Sequence, residues 1–282
     1  MIKLVECPRD AMQGWNTHIP TEQKVAYLSQ LLKVGFDTLD FGSFVSPKAI
    51  PQLADTAEVL AQLPEAEKTK LLAIVANIRG VENACQYERI EYVGFPFSIS
   101  PTFQLRNTNS TMEQSLDTVK QLQELCIKNN KKAVVYISMG FGNPYGDAYS
   151  PELAAEWVDK MSSLDIPVVA LSDTIGCSTP ENIDYLFRTL IPAFPKMEIG
   201  AHLHTTPHTW EEKVAAAYMA GCRRFDGALK GIGGCPMAAD VLTGNMPTEN
   251  MIQYFEAQQL PLHLNKEALM ESMRMAQDIF AH

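Results

Sequence analysis

Two imidazoles stand two residues apart in the run Ile199-Gly200-Ala201-His202-Leu203-His204. On a strand, residues i and i+2 face the same side, because side chains alternate with a period of two. If the small and apolar residues before His202 form the end of a buried strand, both rings point to one spot. Two neutral imidazoles aimed at one spot can share a metal ion. Taken alone, the pair reads more simply as strand-end histidines hydrogen-bonded to their surroundings, so the metal reading needs further donors. Asp10, in Pro8-Arg9-Asp10-Ala11-Met12-Gln13, is the candidate carboxylate, and Asn245 is a candidate amide oxygen. Asp10 could instead form an ion pair with Arg9 or cap a loop. Mixed nitrogen and oxygen ligation suits Mg²⁺, Mn²⁺, Co²⁺ or Zn²⁺, and residue types alone do not choose among them.

Other reactive types cluster near these. Arg9 offers planar, permanently charged donors to an oxyanion. Cys235 lies in Lys230-Gly231-Ile232-Gly233-Gly234-Cys235-Pro236, where glycines let the backbone approach a ligand. There a thiol can act as general acid or base, or be a buried thiol in a turn. Lys48, Arg106 and Lys230 are ordinary surface cations unless the fold brings them to a phosphate-bearing substrate. A Cys/His/Asp nucleophilic triad competes for the same residues, but two histidines on one strand suit chelation better than a single general base.

The elements that must position these groups are legible as apolar runs. Segments 4–7, 38–44, 71–77, 92–98, 132–138, 167–173, 197–204 and 224–229 read as strands. Helical patterns lie between them, at 21–34, 50–63, 81–87 and 111–129, then after Pro151, after Thr179-Pro180-Glu181 and over 210–221. Pro8 to Gln13 is predicted as a loop. The strands are apolar throughout instead of alternating, as strands covered on both faces must be, so the sheet is parallel and wrapped by helices. Eight such units over about 230 residues predict a TIM (β/α)8 barrel in one domain spanning 1–282, with the barrel over about 1–244 and added C-terminal helices over about 245–282. No G-x-G-x-x-G follows the first strand, which disfavours a dinucleotide-binding sheet. In a barrel, the residues ending the strands converge on one mouth. Here those residues include Arg9, Asp10, Asp40, Ser43, Asn77, Ser138, Asp173, His202 and His204.

Composition bounds the function. A formal net charge of −10 argues against nucleic acid or an anionic membrane as partner, so an anionic substrate requires a local cationic site. No run approaches the ~18 apolar residues of a membrane span, and the N-terminus goes straight into a strand pattern. Six cysteines without C-x-x-C spacing suit reduced thiols, so a cytoplasmic location is expected.

These motifs, taken together along nearly the whole chain, resemble the 3-hydroxy-3-methylglutaryl-CoA lyases among the DRE-TIM metallolyases. Pro8-Arg9-Asp10-Ala11-Met12-Gln13 stands where the family has P-R-D-G-L-Q, and Ser43-Phe44-Val45-Ser46-Pro47-Lys48 matches its S-F-V-S-P-K. Ser172-Asp173-Thr174-Ile175-Gly176 is similar to G-D-T-I-G, His202-Leu203-His204 to H-x-H, 231–236 to G-L-G-G-C-P, and Gly244-Asn245 to the family's G-N. The resemblance implies metal-dependent retro-Claisen cleavage of 3-hydroxy-3-methylglutaryl-CoA, or a close 3-alkyl homologue, to acetyl-CoA and acetoacetate or the matching 3-oxo acid. It implies Mg²⁺ or Mn²⁺ held by Asp10, His202, His204 and Asn245, with Arg9, Asp10, Asp40, His202 and Cys235 catalytic. Arg9 would stabilise the enolate, while Cys235 and His202 would assist proton transfer. Gln13, Ser43, Ser46, Lys48, Asp173 and Thr174 are expected around the acyl-CoA. The expected partner is a small-molecule acyl-CoA thioester and the expected assembly a homo-oligomer, a dimer. The alternatives are a condensing acyl-CoA synthase of the same superfamily and a non-catalytic acyl-CoA-binding homologue. Departures at Ala11, 14–16, Thr205, 208–210 and Lys230 leave the 3-alkyl group of the substrate open.

Overall fold

The computed structural model describes residues 1–234 and 243–281. Eight parallel strands close into a barrel: β1 (Lys3–Glu6), β2 (Thr38–Ser43), β3 (Lys70–Ile74), β4 (Ile90–Ser98), β5 (Lys132–Ser138), β6 (Val168–Asp173), β7 (Glu198–Thr205) and β8 (Arg224–Gly227). β8 pairs with β1, and β6 with β7, so no edge is left open. A ninth strand, β9 (Gly244–Asn245), runs antiparallel on β7 and places Asn245 opposite His204.

Two apolar layers follow from the alternation of side chains along each strand. Inward residues Leu72, Ile74, Tyr92, Val134, Tyr136, Val168 and Ala170 fill part of the barrel, while outward residues pack under the helices. Interior positions on the β7–β8–β1–β2 side are different in kind: Arg224, Asp226, Cys7 and Asp40 are all buried there.

Helix boundaries follow local chemistry. Ser150 and Thr179 cap the helices that open on Pro151 and Pro180, and Thr111 makes a reciprocal capping box with Gln114. Gly35, at φ 85°, ends the helix Thr21–Val34 in the left-handed conformation that a residue with no Cβ adopts most readily.

Three segments differ from the sequence reading. Pro8–Gln13 is a short helix and not a loop, with the Asp10 and Ala11 amides donating back to the Cys7 carbonyl and Pro8 in its first turn. The segment expected as one helix over 50–63 divides into a 3₁₀ turn at Pro51–Leu53 and a helix at Thr56–Gln62. Its break has a cause: Lys24 Nζ donates to the Gln52 carbonyl and occupies an acceptor that a continuous helix would use. The helix Pro101–Thr108 was not anticipated, although Ser100 before Pro101 is an N-terminal signature and its hydroxyl accepts from the Phe103 amide. Beyond β9, the helices Thr248–Ala257 and Lys266–Ile279 pack outside the barrel, the second against Thr21–Val34. Among the described residues no helix is long and apolar enough to cross a membrane.

Candidate active site

A cavity of about 460 Å³ opens at the C-terminal ends of the strands. The helix Pro8–Gln13 places Arg9 and Gln13 four residues apart on one face, with Asp10 beside them. Arg9 is nearly saturated by its neighbours. Its Nε and Nη2 grip the Asp40 carboxylate, the shortest contact being 2.6 Å, while Nη1 donates at 2.8 Å to both Asp10 Oδ1 and Gln13 Oε1. A guanidinium has five N–H donors, so one Nη2–H remains for a ligand. Gln13 Nε2 completes the frame by donating to Asp10 Oδ1 at 2.7 Å.

Facing this frame are the two imidazoles of β7. One ligand atom each from Asp10, His202 and His204 lies within 4.8 Å of the others, a spacing that one cation can bridge. His204 Nδ1 is buried and has no hydrogen-bond partner among the described residues. Burial, reinforced by the neighbouring His202, lowers the His204 pKa to about 4, so its ring is neutral and free to coordinate. Burial opposes ionisation of Asp10, but the charge of Arg9, with His202, His204 and the Asn245 amide, brings its pKa down to about 2. The Asp10 carboxylate and the neutral, unpartnered ring of His204, with His202 within the same 4.8 Å, fit a divalent cation.

The Asn245 amide reaches the same place from β9, donating to Asp10 Oδ2 at 2.8 Å and to the Ile232 carbonyl at 2.9 Å. As a ligand it would present its oxygen instead, and two oxygens against each other are favourable only with a cation to share. Cys7, His202 and Asp226 form a second grouping of potential ligands within 4.8 Å. Arg224 lies beside Asp226, its Nε 3.9 Å from Oδ1, and disfavours a cation there. Nor is this grouping a nucleophilic triad: burial, then the surrounding carboxylates, pushes the Cys7 thiol well above its ordinary pKa.

Of the residues singled out in the sequence, Arg9, Asp10, Gln13, Arg106, Ser138, Thr174, His202 and His204 line the cavity. Several others do not. Asp40 is fully buried behind Arg9, both oxygens taken by the guanidinium, so it positions Arg9 and has no oxygen facing substrate. Burial lifts its pKa to about 6 despite that grip. Asp173 points away from the cavity, because Lys213 Nζ at 2.8 Å and the amides of Cys177 and Ser178 draw its carboxylate behind the wall. Ser43 is buried and caps the turn at Val45, while Ser46 and Lys48 are exposed on the loop between the lining residues Val45 and Ala49. The role of His202 in moving a proton also meets a limit. Its Nδ1 lies 3.3 Å from Asp226 Oδ2, and one nitrogen remains to face the cavity. Cys235 lies outside the described residues.

Sequence reading missed Asp226, Tyr136, Lys213 and the Phe103, Asn107 and Thr108 side chains that the helix Pro101–Thr108 brings to the cavity rim beside Arg106. Arg106 stacks on Tyr145, its guanidinium carbon 4.7 Å from the ring centroid. One available signal was the pair Arg224 and Asp226, two charges at i and i+2 on an otherwise apolar strand.

Similarity to known proteins agrees with this geometry. The chain is 30% identical over 271 residues to hydroxymethylglutaryl-CoA lyase YngG of Bacillus subtilis (strain 168), covering 96% of this chain and 90% of the relative. It is 28% identical to the 3-hydroxy-3-isohexenylglutaryl-CoA/hydroxy-methylglutaryl-CoA lyase of Pseudomonas aeruginosa, over 96% of this chain and 90% of that one. A solved HMG-CoA lyase from Acenitobacter baumannii, in complex with coenzyme A and 3-methylmalate, superposes with a TM-score of 0.92 at 28% identity, covering 100% of this chain and 92% of the other. Matched over residues 2–276 by the model of that family, the chain belongs to the HMGL-like family.

Proposed function

We propose that the chain is a carbon–carbon lyase that cleaves 3-hydroxy-3-methylglutaryl-CoA, or a close 3-alkyl homologue, to acetyl-CoA and acetoacetate or the matching 3-oxo acid. The observation that carries this reading is the convergence of Asp10, His202 and His204 on the floor of a cavity, beside an arginine with a donor to spare. A divalent cation, Mg²⁺ or Mn²⁺, held by these three with Asn245 would supply a Lewis acid that acidifies the substrate's tertiary hydroxyl. The reaction then needs that hydroxyl to lose its proton, the C2–C3 bond to break, and C2 to gain a proton once the electron pair has passed into the thioester enolate.

The residues of the chain divide these tasks. Arg9 offsets the negative charge of the enolate from a fixed position, because Asp40, Asp10 and Gln13 hold it in place and no reorganisation is needed as charge develops. Gln13 keeps the Asp10 carboxylate oriented toward the imidazoles. Cys235 is the group we assign to returning the proton to C2. Apolar lining from Val45, Ile50, Ile74 and Phe103 excludes water from the enolate and accommodates the 3-alkyl group.

A turnover assay on a panel of 3-hydroxy-3-alkylglutaryl-CoA thioesters tests the proposal. Release of acetyl-CoA that stops with chelator, returns with Mg²⁺ or Mn²⁺ and slows severely in Cys235→Ala is the expected result. Inertness toward every member of the panel overturns it, and consumption of acetyl-CoA with a 2-oxo acid would mark a condensing enzyme instead.

A further inference from the structure

Beneath the cavity floor, β7 and β8 pair in register so that Gly200 lies beside Arg224 and His202 beside Asp226. The arrangement is built for the arginine. A Cβ at Gly200 would come within 2.9 Å of Arg224 Cδ, so the absence of a side chain there opens the path for the guanidinium stem. Arg224 and Asp226 are both essentially inaccessible to solvent. None of the three guanidinium nitrogens has a hydrogen-bond acceptor among the described residues, and the recorded carboxylate contact is Asp226 Oδ1, 3.9 Å from Nε. Asp226 Oδ1 also lacks a donor, whereas Oδ2 faces His202 Nδ1 at 3.3 Å. Across the barrel, the Tyr136 ring meets the His202 ring edge-on, with centroids 5.5 Å apart and planes at 81°. His202 is therefore held in its plane by a phenol ring on one side and a carboxylate on the other.

Sign and geometry then decide what the carboxylate does. A carboxylate facing a guanidinium acts as an acceptor toward Nδ1, which favours the ring proton there and leaves the Nε2 lone pair for the cavity. A neutral or amide group at the same place could donate to Nδ1 and drive the proton to Nε2, where it would block coordination. Arg224 places the opposite charge beside this buried carboxylate, its Nε 3.9 Å from Oδ1.

We infer that Arg224 and Asp226 are a buried positioning pair that fixes the tautomer of His202 and so prepares its Nε2 as a ligand. This rests on the reading of His202 as a metal ligand. Residues that orient a ligating histidine commonly change metal affinity by about 10- to 100-fold when replaced.

The test uses full-length ¹⁵N-labelled protein without metal, at a pH where His202 is neutral, with two-bond ¹H–¹⁵N correlation to report which ring nitrogen is protonated; His202→Gln assigns the signal. Wild type is expected to show the proton on Nδ1. Asp226→Asn and Arg224→Met are expected to move population to the Nε2–H form and to weaken Mn²⁺ binding, titrated directly, by about 10- to 100-fold. Arg224→Lys, which keeps the charge, should restore much of both. If Arg224 acts through Asp226, the double variant binds Mn²⁺ no more weakly than Asp226→Asn alone. An Nε2–H form in wild type overturns the inference even if no variant folds. So does an Asp226→Asn protein that keeps both tautomer and Mn²⁺ affinity. The underlying metal-site reading fails separately, if wild type binds no Mn²⁺ or if His204→Ala binds it as tightly.

Discussion

Two buried charged clusters sit within one strand of each other, on the ends of β6 and β7, and they are resolved in opposite ways. Around Asp173, every demand is met from within: Lys213 takes one carboxylate oxygen and also donates to the carbonyls of Gly176 and His204, and the Cys177 and Ser178 amides complete the shell. Asp10 is also satisfied, by Arg9, Gln13 and Asn245, but beside it His204 Nδ1 has no partner among the described residues and three potential ligand atoms lie close to one another. A buried polar atom without a partner is costly, and one on a residue that lines a cavity can be completed by a ligand. Asp173 is thus closed off by its own partners, whereas the Asp10 cluster keeps an unpartnered nitrogen, on His204, among the residues that line the cavity. The sequence motif around Asp173 resembles a family signature as closely as that around Asp10 does, which shows that motif alone does not separate the two.

That contrast can be broken most sharply at the incomplete cluster. Asp10→Ala or His204→Ala is expected to leave the fold intact and to lower turnover by several kcal/mol of transition-state stabilisation, on the order of 10³-fold, with Mn²⁺ binding lost in a direct titration. Retained binding in either variant would mean that these atoms do not share a cation. At the complete cluster the expectation reverses. Lys213→Met strands Asp173 without its cation and should cost about 3–5 kcal/mol of stability in denaturant unfolding, while the folded fraction keeps Mn²⁺ affinity within about threefold. A loss of affinity as large as in His204→Ala would erase the distinction between the clusters.

Glu6 is a third case, buried with neutral partners among the described residues: its carboxylate accepts from the Leu229 amide at 2.9 Å and from the Thr248 hydroxyl. Burial raises its pKa from 4.5 to about 8. Because the folded state holds the proton more tightly than the unfolded chain does, this group favours folding below pH 4.5 and loses that contribution as pH rises toward 8. Wild type should therefore lose a few kcal/mol across this window relative to Glu6→Gln, read as the difference between their unfolding midpoints at each pH. A difference independent of pH would refute the raised pKa. Asp40→Asn is the smallest change expected. It weakens the grip on Arg9 and should lower kcat by roughly 10- to 100-fold with KM nearly unchanged, since the charge-assisted hydrogen bonds it loses are worth about 1.5–3 kcal/mol. A rise in KM alone would place Asp40 in substrate binding instead.

How much of this was legible beforehand depended on the range of the interaction. Alternation along β7 put His202 and His204 on one face, and the run of apolar strands gave the barrel and hence a common mouth for Asp10 and β7. Local signals also sufficed for the capped helices. One failure was of longer reach: the 50–63 segment breaks where a lysine from another helix takes the Gln52 carbonyl. Pro8–Gln13 differs, since the bonds that make it helical, from the Asp10 and Ala11 amides to the Cys7 carbonyl, are local.

The sequence by itself determined the fold class and the shared face of His202 and His204, because both rest on residue types and a period of two. Only the tertiary structure decided which buried carboxylates serve the site. Asp40 lies behind Arg9, Asp173 is consumed by Lys213, and Asp226 is held between Arg224 and His202. Arg9, Lys213 and His202 each come from a different element than the carboxylate they meet. An isolated Asp in a sequence carries no information about which cation, if any, will reach it once water is excluded.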